Sequence, residues 1–418
     1  MEHKNKSITK WSIAVCCAFM VMISLGFGSS TKSLFPDEIA KYLNMDRSLV
    51  SLNESCRYIA TAVVNIFFGT LISKYGAKKL VCAGFVSLVA SMLLFAYADS
   101  IFTILVAGTL LGVGFSWTTT TMVGYIVNLW YPERKGTIMG IILASNGLGG
   151  AIAISLAGSF IDPETIGSYR NAYKMIACVF AVTLILLMIF FRDKNQETDN
   201  VCDKKSESVE KHCEGLEFCE LWRKPFFILS LVCIFFSGFI LQGTTGISAM
   251  HFKDVGIDYS AVKGILSFSS LLLAFSKFFT GYMYDKRGLR FSATSCCAFA
   301  SLSAILLAVT KDNELGFSLA IAYSVISNFA LPLETVMLPI YASDICGSRS
   351  YNKALGLYVS VNTAGYAASA PLMNICYDVF GSYDIALVAS AVVMIIVLIL
   401  LQYVISASNK EQKKYAIL

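Results

Sequence analysis

Charge is what this sequence has least of. Asp, Glu, Lys and Arg make up 15% of its 418 residues, where a soluble domain averages about 25%. Histidine is scarcer still: His3, His212 and His251 lie far apart and offer no metal cluster. There is no Gly-x-x-x-x-Gly-Lys-(Ser/Thr) phosphate loop, which speaks against direct drive by ATP. There is no His-Glu-x-x-His and no nucleophile elbow, so the chain is read as no enzyme, with no cofactor and no metal. No segment alternates apolar and polar residues with period two, as the strands of a membrane β-barrel would.

What fills the space is apolar. Hydrophobic residues make up 56% of the chain, aromatic residues 13%, and the mean hydropathy is +0.65. Twelve runs stand out, near 12–35, 49–72, 79–98, 101–128, 137–160, 171–191, 226–250, 260–283, 292–310, 315–341, 354–377 and 382–407. Each is close to the ~20 residues that a helix needs to cross a ~30 Å hydrocarbon layer. Helices follow because a lipid-facing backbone must satisfy its own hydrogen bonds. The expectation is an all-α membrane protein with 12 transmembrane helices.

The first run follows Lys4, Lys6 and Lys10, as the core of a signal peptide would. It is too long for that, and no small-residue cleavage site precedes a soluble domain, so it is read as an uncleaved helix. The 13 cysteines fall mostly inside runs, as Cys16, Cys17, Cys233, Cys296 and Cys297 do. Their spacing suits neither a disulfide framework nor zinc. Cys202, Cys213 and Cys219 belong to a polar segment placed in the cytosol.

Orientation follows from the basic residues of the short loops. With the N-terminus inside, 23 of the 33 Lys and Arg fall on the inner side and 7 on the outer. The remainder, Lys32, Arg57 and Lys277, lie within the membrane. Both termini are therefore expected in the cytoplasm. The net charge of +5 is a topology signal and calls for no nucleic-acid partner.

One long polar stretch, residues 193–225, divides the runs six and six. The expected domains are a six-helix bundle over 1–192, a cytoplasmic central loop over 193–225 and a second bundle over 226–418. The bundles repeat one another. "GTLISKYGAKK" after the second run matches "GYMYDKRGLR" after the eighth, pairing Gly69, Lys74, Gly76 and Lys78 with Gly281, Lys286, Gly288 and Arg290 at an offset of 212. Within the fifth and eleventh runs, Gly140, Asn146 and Gly149 pair with Gly356, Asn362 and Gly365 at an offset of 216. Near-equal offsets in the same order identify a duplicated unit, a common plan of transporters. Small residues every fourth position (Gly136, Gly140, Ala144; Gly356, Ser360, Ala364, Ala368) allow backbones to approach closely in lipid.

These residues resemble a known group. The loop from Gly281 to Arg290, with Asp285, Lys286 and Gly288, looks like the Gly-x-x-x-Asp-Arg-x-Gly-Arg signature of the major facilitator superfamily. The first copy departs from it, with Ser73 in place of the acid. "WYPERKGTIMGIILASNGLGG" (Trp130 to Gly150) and "ELWRKPFFILSL" (Glu220 to Leu231) resemble the monocarboxylate and oxalate/formate transporter group. The acidic first-helix signature of the animal carriers is missing from Ile23 to Ser30. The resemblance implies two pseudo-symmetric six-helix bundles around a central solute path. It also implies a gating role for the signature loops, through Gly69, Gly281, Asp285 and Lys286.

An ionisable residue inside a membrane is costly and marks function by default. Lys277 lies four residues before Gly281, about 6 Å along the helix at ~1.5 Å per residue. In the resembled group the matching place carries an Arg that binds the substrate carboxylate. Lysine keeps the charge but loses the bidentate fork. Arg57 has Glu54 three residues earlier on its own face, in pairing position. Lys32 sits near the outer end of the first run, where the resembled animal carriers also hold a lysine. Glu334 follows Pro332 and precedes Pro339. An offset of 216 relates it to Thr118, in "SWTTTT". It is the candidate proton-coupling group, or else a fixed partner of Lys277. Asn146, Asn362, Gln242 and Thr244 are further candidates for substrate contact.

The surplus of buried cations favours an anionic solute. The leading expectation is a secondary active transporter of a small organic anion, a mono- or dicarboxylate such as lactate, formate or oxalate. It works by alternating access, as a proton symporter or an anion exchanger. Its partners are that anion, protons and the lipid bilayer, and it is expected as a monomer in a bacterial inner membrane. Two alternatives stay open. A multidrug-type efflux carrier calls for an acid-rich aromatic cavity. A non-transporting nutrient sensor on the same fold calls for long cytosolic extensions.

Overall fold

The computed structural model describes residues 2–45, 47–161, 165, 167–191, 217–256, 259–311 and 315–417. Most of the central polar stretch, with Cys202 and Cys213, lies outside the described residues. By its internal contacts the chain divides into two units. One comprises Met1–Glu133 and Ile141–Cys213, the other Arg134–Gly140 and Glu214–Leu418.

The first unit begins with α1 (Glu2–Gly28), a 3-10 turn (Ser30–Leu34) and α2 (Pro36–Leu43). Then come α3 (Arg47–Ile66), α4 (Phe68–Ala96), α5 (Ile101–Thr118) and α6 (Thr120–Trp130). After the turn Pro132–Arg134 follow α7 (Lys135–Ser159) and α8 (Tyr169–Phe190). The local signals are legible. Pro36 opens α2, where a missing N–H costs nothing. The Ser100 side chain accepts from the Thr103 N–H and caps α5.

The second unit holds α9 (Phe218–Leu221), α10 (Pro225–Asp254), α11 (Tyr259–Val309) and α12 (Gly316–Ala330). A 3-10 turn (Leu331–Glu334) leads to α13 (Met337–Cys346), α14 (Tyr351–Phe380) and α15 (Asp384–Ile417). The Gly381 N–H closes α14 on the Tyr377 carbonyl from a left-handed conformation. Among the described residues every cysteine is free.

Nine helices among the described residues are long and apolar enough to cross a membrane. The difference from twelve runs has physical causes. The eighth and ninth runs are joined in α11, which turns at Gly288. The two other long helices, α3 and α14, carry the polar residues, among them Asn53, Glu54, Arg57 and Asn65 in one and Asn362, Thr363 and Asn374 in the other. Exposed Val, Ile, Leu and Phe cover the outside of the chain, the surface that a protein presents to lipid rather than water.

Two features repeat between the units. Gly149 of α7 packs so closely that an added Cβ would sit 2.0 Å from the Met22 carbonyl oxygen of α1. Gly365 of α14, its repeat mate, packs the same way, 2.4 Å from the Phe235 carbonyl oxygen of α10. Each half thus seats one helix backbone on another through a glycine of the repeat. The second feature is a pair of broken helices. Thr119 (φ −124°, ψ −142°) separates α5 from α6, and the turn at Leu331–Glu334 separates α12 from α13. The offset of 216 read from the sequence relates these breaks.

Candidate functional site

The break between α12 and α13 is built by proline. Pro332 lacks the N–H that would continue the helix, and the chain tightens into one 3-10 turn. The Thr335 N–H then reaches the Pro332 carbonyl at 3.3 Å. Broken helices leave backbone and side-chain groups without their usual partners, and in membranes they are tolerated where they border a cavity or a site. Here the Thr335 hydroxyl and Glu334 Oε2 are buried with no hydrogen-bond partner among the described residues.

Glu334 is 7% exposed and Lys277 of α11 is 4% exposed. Each is the charged neighbour that the other feels, and the Glu334 carboxylate also accepts a hydrogen bond from Tyr366 of α14. Two ionisable groups of opposite sign, both taken out of water, stand at the broken helix of the second unit. Burying either alone costs several kcal/mol, so the sequence spends stability here. On the last turn of α12, before the break, Asn328 Nδ2 donates to the Ser269 hydroxyl of α11 at 2.6 Å. Tyr366 was not singled out from the sequence. It lies four residues after Asn362, on the same helix face, and that spacing was the available signal.

The remaining candidates divide. Asn362 is fully buried, and its Nδ2 donates to the Ile234 carbonyl of α10 at 3.2 Å. It therefore fastens two helices. Its repeat mate Asn146 keeps a buried Oδ1 with no partner among the described residues. Gln242 is half-buried on α10. On the same helix the Thr244 hydroxyl is turned back onto the Ile240 carbonyl at 2.9 Å.

In the first unit the cations gather on one acid. Arg57 Nη2 donates to Glu54 Oε2 at 2.5 Å, and Lys32 Nζ donates to the same oxygen at 3.4 Å. Arg57 is buried, with its guanidinium 4.4 Å from the Tyr58 ring centre and 5.5 Å from that of Phe115. Lys32 lies in the 3-10 turn after α1 rather than in the helix itself. The three ionic groups carry one surplus positive charge.

The signature loop of the second unit makes a defined contact. Asp285 accepts from the Gly136 N–H at 3.0 Å with one carboxylate oxygen and from the Thr137 N–H at 2.7 Å with the other. These are unpaired donors of the first turn of α7, so the carboxylate caps that helix and meets its positive end. Gly136 and Gly281 permit it: a Cβ on Gly281 would lie 2.1 Å from the Gly136 carbonyl oxygen. Beside them Lys135 and the Tyr284 hydroxyl both donate to Asp344, at 2.5 and 2.7 Å. Lys286 lies exposed with its ammonium 4.7 Å from the Tyr282 ring centre. In the first copy the Ser73 hydroxyl donates to the Gly69 carbonyl of its own helix at 2.8 Å.

Comparison with known proteins agrees with this architecture. The model of the Major Facilitator Superfamily matches residues 14–349. An uncharacterized MFS-type transporter of Bacillus subtilis, YcxA, is 23% identical over 84% of each chain. The human protein named monocarboxylate transporter 12 is 19% identical over 97% of this chain and 82% of its own. Among solved structures, the proton:xylose symporter XylE covers 94% of this chain and 95% of its own with a TM-score of 0.75 at 13% identity.

Proposed function

We propose that this chain, which belongs to the Major Facilitator Superfamily, moves a small organic anion, a mono- or dicarboxylate, by alternating access. It is a multi-pass membrane transporter and no enzyme. The observation that carries the anion reading is the Lys277–Glu334 pair, buried together at the broken helix of the second unit. A carboxylate that reaches Lys277 competes with Glu334 for one cation. Protonating Glu334 removes the competitor, so the pair links anion binding to proton binding by simple charge balance. Without a proton gradient the same site supports exchange of one anion for another.

Lys32 and Arg57 add positive charge in the first unit, and Asn146 and Gln242 offer hydrogen bonds to a carboxylate. The signature loops serve as the gating elements, through Gly281, Asp285 and Lys286 in the second unit and Gly69 in the first. The relationship to a protein named for monocarboxylate transport supports the solute class. The basic-residue bias supports cytoplasmic termini, and the short loops support a bacterial inner membrane.

The test is uptake of labelled lactate, formate and oxalate into proteoliposomes, with and without an inward proton gradient. Saturable uptake is expected, with KM raised about 10- to 100-fold in Lys277→Ala, the loss of one charge-assisted contact. A reconstituted, folded protein that moves none of the three, or a Lys277→Ala variant with unchanged KM, sinks the reading.

A further inference from the structure

The last helix is longer than a membrane requires. α15 holds 34 residues, about 51 Å at ~1.5 Å per residue, against a hydrocarbon layer of ~30 Å. Its final turns are tied to the rest of the second unit. Glu411 Oε2 pairs with Lys224 Nζ, just before α10, at 3.1 Å. Ser408 is fully buried, and its hydroxyl donates to the Ile345 carbonyl at 2.8 Å. Gln412 Nε2, one turn on, donates to the Asp344 carbonyl at 2.8 Å and to the Ile345 carbonyl at 3.3 Å.

Both acceptors end a helix. A helix leaves its last four carbonyls without an internal partner, and such ends fray. In α13 they belong to Ser343, Asp344, Ile345 and Cys346. The Gly347 N–H takes the first at 3.1 Å. The next two are held by Gln412 and Ser408. The Asp344 carboxylate receives Lys135 Nζ at 2.5 Å and the Tyr284 hydroxyl at 2.7 Å. Lys135 is the first residue of α7, and Tyr284 adjoins Asp285, which caps the same turn. One chain of hydrogen bonds thus runs from α15 through Asp344 to the start of α7, and every link lies in the second unit. While Gln412 holds the backbone of Asp344, the carboxylate stays on Lys135. Without that hold, the last turn of α13 is free to unwind and carry the carboxylate away.

We infer that Gln412, aided by Ser408, is a positioning residue of the gate, holding the end of α13 so that Asp344 grips the first turn of α7. This role rests on the gating reading of the signature loops and on no contact with the solute.

The experiment is hydrogen–deuterium exchange of the purified full-length protein in detergent. It is followed at residues 135–140 of α7 and 343–347 of α13, with α8 as internal control. Gln412→Met keeps the length of the side chain and loses its donors. It should speed exchange about two- to tenfold in both segments, the measure of one lost hydrogen bond, and leave α8 unchanged. Ser408→Ala should act the same way more weakly, because Gln412 still reaches Ile345. Gln412→Lys supplies a new donor to the helix end and should restore slow exchange. Lys135→Met cuts the chain beyond Asp344, so adding Gln412→Met to it should change α13 alone. In proteoliposomes that take up a labelled carboxylate, Gln412→Met should alter the maximal rate about two- to tenfold and leave KM within about twofold. Faster exchange at 343–347 with 135–140 still protected overturns the inference and leaves Gln412 a helix cap. So does an effect of Gln412→Met on α7 that Lys135→Met does not abolish, or a change confined to KM. Failure to move any carboxylate sinks the transport reading instead, and exchange still decides the role of Gln412.

Discussion

Gly76 and Gly288 hold one backbone conformation in two places. Their angles are φ 77°, ψ 166° and φ 78°, ψ 178°, and 212 positions separate them. Each turns the chain between two membrane helices without a break in the helical pattern on either side. The duplication read as an alignment of letters is thus a duplication of geometry. With φ positive and ψ near 180°, this is a region that only glycine enters freely.

Alanine at either position is therefore expected to cost about 1–3 kcal/mol. Gly288→Ala and Gly76→Ala should each lower the apparent melting temperature of the purified protein in detergent. Equal melting of wild type and both variants would show that the turns relax at no cost.

Glu334 sets the coupling. Glu334→Gln keeps the shape but cannot carry an exchangeable proton. Uptake driven by a proton gradient should fall to the level seen without one, while exchange of internal for external anion persists. Loss of both activities together, in a protein that still folds, would make Glu334 a structural partner of Lys277 instead.

The ionic group around Glu54 predicts non-additive losses. Glu54→Gln strands the buried Arg57 guanidinium, and removing one partner of a buried pair costs about 3–5 kcal/mol. Part of that is offset here because Glu54 itself is partly exposed. Adding Arg57→Met should restore much of the lost stability. A double variant no more stable than Glu54→Gln would contradict the pairing. Thermal unfolding of Glu54→Gln, Arg57→Met and the double variant in detergent decides it.

The cap of α7 by Asp285 predicts a graded series. Asp285→Asn keeps an acceptor and loses the charge, while Asp285→Ala loses both. The expected costs are about 0.3–1 kcal/mol for the charge alone and about 0.5–2 kcal/mol for the cap. If the loop is a gate, uptake rates should change in the same order as stability. Proteoliposome rates beside melting temperatures test this, and rates that ignore the series would leave Asp285 a cap and nothing more.

The sequence by itself determined the membrane-spanning helices, the internal repeat and the residues too costly to bury without reason. Run length, loop charge and glycine spacing are local or periodic, so a single strand of letters displays them. Lys277, Glu334, Arg57 and Lys32 were legible because a charge in an apolar run is conspicuous wherever the helix packs. Partnership was decided only by tertiary structure. Asn146 and Asn362 are repeat mates, yet Asn362 fastens α10 to α14 and Asn146 keeps a buried oxygen with no partner among the described residues. The stack of Phe35 and Phe95 on Tyr173 was equally hidden, since the three rings come from separate segments. Each looks like any lipid-facing ring until packing stacks them. Hydrogen bonds and cavities depend on distances between helices, and those distances arise only when the small residues let the backbones close.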